Sequence, residues 1–100
     1  MTDLKTKTKY SIKYTNDFKK NYKKIKKQGK DVLKLMYVVD KLANGEKLEE
    51  KYKNHLLVNS KNYKNCGECH IEPDWLLVYR YINDELYLVL VATGSHSELF

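Results

Sequence analysis

The first third of the chain changes from a strand-like to a helical pattern of apolar residues. Apolar and polar positions alternate over residues 10–14, which is typical of a strand with one face buried. From Thr15 or Asn16, each a suitable N-cap, apolar residues recur at helical spacing until Gly29 supplies a C-cap. This stripe consists of Phe18, Tyr22 and Ile25. Lysines fill the opposite face of the predicted helix.

A second helix is predicted to begin at about Asp31 and to end at Asn44 and Gly45. Its apolar positions form a broad stripe of the kind that packs against a core. The stripe consists of Val32, Leu35, Met36, Val39 and Leu42. The two predicted helices therefore form a helical hairpin.

The middle of the chain, residues 45–61, shows no sustained period. A loop of this length inside a compact domain is either mobile or functional, and this one carries His55. Beyond it, residues 68–70 continue a strand up to Pro73, which ends the strand because proline lacks the N–H that the ladder needs.

The last quarter of the chain predicts two further strands. Residues 75–82, WLLVYRYI, predict a strand buried on both faces, and residues 86–92, LYLVLVA, predict another central strand after a tight turn at Asn83 and Asp84. Residues 93–95 then end this strand and leave a short tail. The predicted order is β-α-α-β-β-β. The predicted class is α+β, with the helical hairpin packed on one face of a mainly antiparallel sheet.

The composition is that of a folded domain, with 42% hydrophobic and 32% charged residues over 100 positions. We expect one domain, with residues 1–8 as a flexible N-terminal extension. The charged first nine residues do not resemble a secretory signal peptide, and no apolar stretch reaches the roughly 18 residues of a membrane span. We therefore expect a cytoplasmic protein whose thiols are reduced.

The charge of the chain is strongly unbalanced. Nineteen basic residues, all but Arg80 lysines, stand against 13 acidic residues and give a net charge of +6. Such a surplus favours a polyanionic partner, and RNA, DNA and the ribosome all qualify. A surface merely solvated by lysines has the same composition, so composition leaves both explanations open.

The segment CGECHIEPDW, residues 66–75, concentrates reactive side chains. Its C-x-x-C-H pattern matches haem attachment, half of a zinc site and a dithiol redox motif. The expected location disfavours haem, the lack of a second close ligand pair disfavours zinc, and Pro73 with a strand, where a helix should start, disfavours the dithiol. We therefore expect no metal and no cofactor. Cys66 and Cys69 are then small, partly buried strand residues.

All three histidines, His55, His70 and His96, lie outside the predicted helices, near strand ends or on the long loop. Together with Asp74 and Trp75 they can converge in one pocket, because distant side chains of a small sheet protein meet at strand ends and loops. Such a pocket suits cleavage of RNA by its own 2'-hydroxyl, which needs a base, an acid and positive charge near the phosphate. That reaction requires no metal.

Aromatic and basic residues supply the expected contacts with RNA. Trp75 and Phe100 can stack on unpaired bases, and the lysine-rich first helix attracts phosphate. Each feature also has a structural alternative: a histidine with satisfied hydrogen bonds, a tryptophan in the core and a solvated lysine face. The lysines assigned to RNA binding are Lys19, Lys23, Lys26 and Lys53.

Three segments occur together and in order: YKNHLL at 52–57, CHIEPDWLLVY at 69–79 and TGSHSELF at 93–100. In this combination the chain, from about Tyr10 onward, closely resembles the YafQ branch of the RelE/ParE toxin superfamily. The resemblance implies a RelE/ParE-like fold and the toxin of a type II toxin–antitoxin pair. Such a toxin is a ribosome-dependent endoribonuclease that cuts mRNA in the A site and halts translation.

The resemblance also implies roles for individual residues. The implied catalytic cluster consists of His55, His70, Asp74 and His96. Within it, His96 is the proton donor or acceptor at the scissile phosphate. Trp75 and Phe100 match the remaining active-site positions and are expected to hold the mRNA, whereas the two cysteines match positions that require no thiol.

The resemblance finally implies partners: a DinJ/RelB-like antitoxin with a ribbon-helix-helix DNA-binding part and a tail that wraps the toxin, and operator DNA only through that complex. Two alternatives stay open, a ParE-like toxin acting on gyrase and a non-catalytic RNA-binding module. The histidine and aspartate set argues against the first. Other branches use arginine and lysine to stabilise phosphate. Because the only arginine here is Arg80, within a predicted strand, the histidines must do more of that work.

Overall fold

A five-stranded sheet forms the centre of the protein, in a computed structural model that describes residues 8–100. The strands are β1 Ser11–Tyr14, β2 His55–Leu56, β3 Gly67–Glu72, β4 Trp75–Ile82 and β5 Tyr87–Gly94. Their order across the sheet is β1-β5-β4-β3-β2, with β1 parallel to β5 and the other neighbours antiparallel. The predicted mainly antiparallel sheet is confirmed. Apart from Thr8, the expected extension at residues 1–8 lies outside the described residues.

Two helices of twelve residues form the predicted hairpin, and each begins at a side-chain cap. The helices of the fold are α1 Asn16–Lys27, α2 Val32–Ala43 and the short α3 His96–Leu99. The Thr15 hydroxyl accepts the N–H of Phe18 at 3.0 Å, and the Asp31 carboxylate accepts the N–H of Leu33 at 3.0 Å. Gly29, with φ 79°, follows α1 in the left-handed conformation that glycine tolerates best.

The main core lies between this hairpin and one face of the sheet. It includes Phe18 and Ile25 of α1, Leu35, Val38 and Leu42 of α2, and Trp75, Leu77, Leu88 and Leu90 of the sheet. A smaller cluster of Cys66, Val78 and Ala92 lies on the second face of the sheet and is covered by Leu57, Tyr63 and Leu99. Because side chains alternate along a strand, the sheet has a helix face, covered by the helical hairpin, and a second face that the hairpin leaves free.

A buried hydrogen-bond network joins the two central strands to α1. The Trp75 indole donates to the Thr93 hydroxyl at 2.9 Å, and that hydroxyl donates to the carbonyl of Leu76 at 2.7 Å. The N–H of Thr93 donates to the amide oxygen of Asn21 on α1 at 3.0 Å. The C-terminal end of β5 is therefore held against both β4 and the first helix.

Two expected burial patterns are wrong in part. In α2 the predicted stripe included Met36, which is 50% exposed, and missed Val38, which is fully buried, because the core-facing side of the helix is rotated toward Val38. In β1 the side chains of Ile12 and Tyr14 are 41% and 54% exposed rather than buried. β1 is the outermost strand, so the helices cover its inner face only partly.

The second half of the chain also departs from the prediction in three places. The loop at 45–61 contains a 3-10 turn, Glu50–Tyr52, and the two-residue strand β2. Strand β5 continues to Gly94, and the tail is the helix α3 rather than irregular chain. Strand β4 is buried on both faces only as far as Tyr79, because the cover of the second face stops there and leaves Arg80 exposed. Within residues 8–100, no helix has the length and apolar character to span a membrane.

Truncation of a buried leucine should lower the free energy of unfolding more than truncation of an exposed one. Leu77→Ala removes a fully buried side chain from the main core and should lower the free energy of unfolding by about 2–5 kcal/mol. Leu33→Ala truncates a side chain that is 74% exposed on α2 and should change it by less than about 0.5 kcal/mol. Urea unfolding measures both, and equal destabilisation by the two variants would contradict the described core.

Candidate active site

A buried carboxylate on the second face of the sheet links two of the predicted catalytic histidines. Glu68 is 6% exposed, and its Oε1 lies 3.2 Å from Nε2 of His55 and 4.0 Å from Nε2 of His70. Strand alternation explains the arrangement, because Cys69 points into the main core and its neighbours on β3 point to the other face. His55 reaches the pair because β2 places it directly opposite Glu68.

The second nitrogen of each ring faces a backbone carbonyl. Nδ1 of His55 lies 2.8 Å from the carbonyl oxygen of Lys53, and Nδ1 of His70 lies 3.2 Å from that of Pro73. His55 therefore has an acceptor within hydrogen-bond distance of each ring nitrogen, whereas Glu68 lies beyond that distance from His70.

The other two predicted catalytic residues meet at the start of α3. The backbone N–H of His96 donates to Oδ1 of Asp74 at 3.3 Å, so the aspartate contacts the chain of His96 rather than its ring. The His96 ring stacks on Phe100, with centroids 5.1 Å apart and planes at 29°. The Phe100 ring also packs against Tyr63 in a T-shaped arrangement, with ring centroids 5.3 Å apart and planes at 75°. Both His96 and Phe100 are exposed to solvent.

These contacts form two groups that adjoin at the β3–β4 corner. His70 bonds the carbonyl of Pro73, and the next residue, Asp74, bonds His96. The four residues of the predicted catalytic cluster are therefore connected: Glu68 links His55 to His70, and the peptide unit between Pro73 and Asp74 links His70 to the contact with His96. His96 begins a helix, whereas the sequence predicted no histidine in a helix.

Trp75 is not available to RNA. Its side chain is fully buried, it belongs to the main core, and its indole N–H is used by Thr93. The expectation that Trp75 holds mRNA by stacking is therefore corrected to the structural alternative. Because Trp75 follows Asp74 and bonds a residue three positions before His96, it fixes the backbone on both sides of their contact.

The lysines expected to bind RNA lie in two different places. Lys53 is exposed at the start of the segment that carries His55 and lines a groove beside His70. On α1, the side that approaches the end of β5 and α3 carries Asn21, Lys24 and Gln28. Helical spacing puts the other three expected lysines on a different side of that helix. Those three are Lys19, Lys23 and Lys26.

The two cysteines face opposite sides of the sheet. Cys69 lies in the main core and Cys66 in the cluster on the second face, and both are buried free thiols. Burial raises the pKa of Cys69 to about 12 and raises that of Cys66 as well. The C-x-x-C pattern therefore does not bring two reactive thiols together. The expectation of buried strand residues is confirmed for Cys69, whereas Cys66 is buried but precedes β3. Among residues 8–100, no group of three or more His, Cys, Asp or Glu residues is arranged to hold a metal ion.

Glu68 is the site residue that sequence reasoning missed. Alternation along β3 puts it on the same face as His70, and that signal was present in the sequence. Its contact with His55 depends on β2, whose two residues have no period of their own. For α3 the signal was plainer, because Ser95-x-x-Glu98 is a capping-box sequence and both of its reciprocal hydrogen bonds form.

Comparison with known proteins identifies relatives along nearly the whole chain. The family profile described as "Bacterial toxin of type II toxin-antitoxin system, YafQ" matches residues 10–100. The mRNA interferase toxin YafQ of Escherichia coli K12 is 38% identical over 90 residues, which cover 89% of this chain and 94% of that protein.

Solved structures agree with the fold. The E. coli DinJ–YafQ complex contains a chain with a TM-score of 0.80 at 36% identity, covering 91% of this chain and 98% of that one. A metal-bound toxin from Helicobacter pylori gives a TM-score of 0.85 at 43% identity, covering 91% and 99%. The resemblance carried by the three sequence segments is confirmed. This chain belongs to the YafQ family of bacterial toxins of type II toxin–antitoxin systems.

Proposed function

We propose that this protein is an mRNA interferase: an endoribonuclease that enters the ribosomal A site and cleaves mRNA by attack of the 2'-hydroxyl. The observation that carries the proposal is the connected set of His55, Glu68 and His70 with Asp74 and His96 on the exposed side of the sheet. A relative that is 38% identical is named for this activity. Acid–base groups and cations are what this reaction needs.

His96 is proposed as the group that exchanges a proton with the RNA. Its ring is exposed and, within residues 8–100, makes no hydrogen bond to the protein, so both ring nitrogens are accessible to substrate. Stacking on Phe100 limits the orientations of the ring. An imidazole titrates near neutrality and can therefore donate or accept a proton at physiological pH.

His55 and His70 are proposed to stabilise the negative charge that develops on the phosphate. Imidazole N–H groups can donate hydrogen bonds to phosphate oxygens, and the only arginine, Arg80, is an exposed residue of β4. Glu68 holds the two rings beside each other. Asp74 positions the first residue of α3 through the His96 N–H, which agrees with an orienting role rather than that of a base.

The surface around the cluster suits single-stranded RNA. Phe100 is 51% exposed and offers a ring on which a base can stack. Lys53 adds a cation beside His70, and Lys19, Lys23 and Lys26 add positive charge on another side of α1. Stacking by Phe100, without Trp75, is the aromatic contact that remains in this proposal.

The proposed partner is an antitoxin related to DinJ, because a YafQ relative forms a solved complex with DinJ. We expect a ribbon-helix-helix part that binds operator DNA, with this toxin attached through the antitoxin, and an acidic or amphipathic tail that suits the +6 charge. We expect the chain to act in the cytoplasm, as a single domain. We also expect the reaction to need no metal or other cofactor.

Replacement of His96 tests the proposal directly. His96→Ala should abolish growth arrest and reduce A-site mRNA cleavage by at least about 100-fold, because loss of a general acid–base typically costs about 100- to 10,000-fold. Ser97→Ala alters the next exposed residue of α3 and should cleave like the wild type. Primer extension on programmed ribosomes gives the rates, and cleavage retained by His96→Ala would reject the role of His96.

Glu68→Gln should lower the cleavage rate by about 10- to 100-fold, because misplacing a catalytic group by about 1 Å can cost about 100-fold. The amide keeps the size of the side chain but removes the charge between the two rings. Glu72→Gln on the same strand removes a surface ion pair with Lys34 at 2.9 Å and serves as the control. Equal rates for the two variants would remove Glu68 from the site.

Chelation tests the metal-independent chemistry. The proposed steps use histidine, aspartate and substrate groups only, so cleavage by the purified toxin should be unchanged by EDTA once the ribosomes are held in a fixed magnesium buffer. A toxin pre-treated with EDTA and dialysed provides that comparison. Loss of cleavage that zinc or copper restores would contradict the proposal and implicate a metal at the histidines.

A further inference from the structure

The helix α3 is too short to be stable by itself, yet it begins with His96 and is followed directly by Phe100. Isolated helices shorter than about 12 residues are marginal in water, and α3 has four residues. It begins with a capping box. The Ser95 hydroxyl accepts the N–H of Glu98 at 3.2 Å, and Oε1 of Glu98 accepts the N–H of Ser95 at 2.8 Å.

The second oxygen of the same carboxylate bonds to another helix. Oε2 of Glu98 lies 2.8 Å from the ammonium of Lys24 and accepts a longer hydrogen bond from the amide of Gln28 at 3.4 Å. Lys24 and Gln28 are four residues apart and so lie on one side of α1. Each carboxylate oxygen therefore has its own partners: one in the cap of α3 and the other on α1.

The backbone beside the cap leaves room for this arrangement. A Cβ at Gly94 would lie 2.9 Å from Oε1 of Glu98, so any side chain there would displace the carboxylate. Gly94 is the last residue of β5. The carboxylate thus occupies space between the end of the strand, the start of α3 and the side of α1.

We propose that Glu98 is a positioning residue for RNA cleavage, because its carboxylate fastens α3 to α1 and so fixes where His96 and Phe100 stand over the second face of the sheet. The inference rests on the proposed function for its catalytic consequence. The contact between α3 and α1 is independent of that function. Glu98 itself lies on the α1 side of α3, whereas His96 contacts Asp74 and Phe100.

Glu98 keeps its charge at the pH at which a toxin works. The hydrogen bond from Lys24, followed by that from the Ser95 N–H, lowers the pKa of Glu98 to about 2. A carboxyl group whose pKa is depressed by folding contributes stability above its unfolded pKa and loses it as the pH falls toward 2. We call the contact of the Glu98 carboxylate with Lys24 and Gln28 the clamp. Between pH 5 and 8 the carboxylate in this clamp therefore keeps its charge. A change at Glu98 should lower the rate without moving the pH profile.

The test compares full-length variants on programmed ribosomes. Glu98→Gln and Lys24→Met should each reduce the single-turnover cleavage rate by about 10-fold, with the pH profile between 5 and 8 unchanged in shape. Lys24→Arg keeps the ion pair and should restore most of the rate. The double variant should lose no more than either single variant, because both changes break one contact. Glu85→Gln and Lys27→Met are matched controls on exposed residues and should cleave like the wild type.

Amide hydrogen exchange of the free protein reports on the clamp without RNA. In Glu98→Gln the amides of Leu99 and Phe100, which bond within α3, should exchange faster, while amides of β4 and β5 keep their protection. A role confined to general stability would instead accelerate exchange throughout the sheet and overturn the inference.

The two measurements separate failure of the inference from failure of the proposed function. Wild-type cleavage by Glu98→Gln, whether or not α3 loosens, overturns the positioning role. A shifted pH profile in that variant also overturns it, since Glu98 would then take part in proton transfer. If the wild type cleaves no mRNA, the proposed function fails. Exchange in α3 that is equally fast in the wild type and Glu98→Gln then overturns the clamp as well.

Discussion

The buried hydrogen bond from the Trp75 indole to the Thr93 hydroxyl organises the functional end of this protein. It joins the first residue of β4 to the penultimate residue of β5, and Asn21 of α1 completes the junction by accepting the Thr93 N–H. Burial of polar groups is tolerated here because each finds a partner. Asp74 directly precedes Trp75, and α3 begins three residues after Thr93. The buried bond therefore fixes the positions from which Asp74 and His96 make their contact.

The two faces of the sheet divide stability from chemistry. The helix face carries the main core and the helical hairpin, whereas the second face carries a smaller cluster under Leu57, Tyr63 and Leu99. A thin cover leaves histidine and carboxylate groups at the surface without exposing the main core. Glu68 is the exception, because its carboxylate is buried in the sheet and faces the partly exposed ring of His55.

Features encoded within a few residues were predictable, and features that depend on distant partners were not. The start of α1 at Thr15 or Asn16, the start of α2 at about Asp31 and the bounds of β4 follow from neighbouring residues, and the structure confirms them. Strand β2 has two residues and is defined by its pairing with β3, so no apolar periodicity in the sequence could predict it. The choice between Met36 and Val38 as a core residue depended on how α2 rolls against the sheet. Family resemblance named the histidines, but the burial of Trp75 came from the tertiary structure.

The placement of the cysteines has a practical consequence for spectroscopy. Cys66 and Cys69 are buried on opposite faces with raised pKa values, so few thiolates meet a maleimide or a spin label in the native protein. The two native cysteines therefore react little with such reagents. A single cysteine introduced at the surface would be the residue that is labelled. The slow alkylation rates of Cys66 and Cys69 would then report how often each face of the sheet opens to solvent.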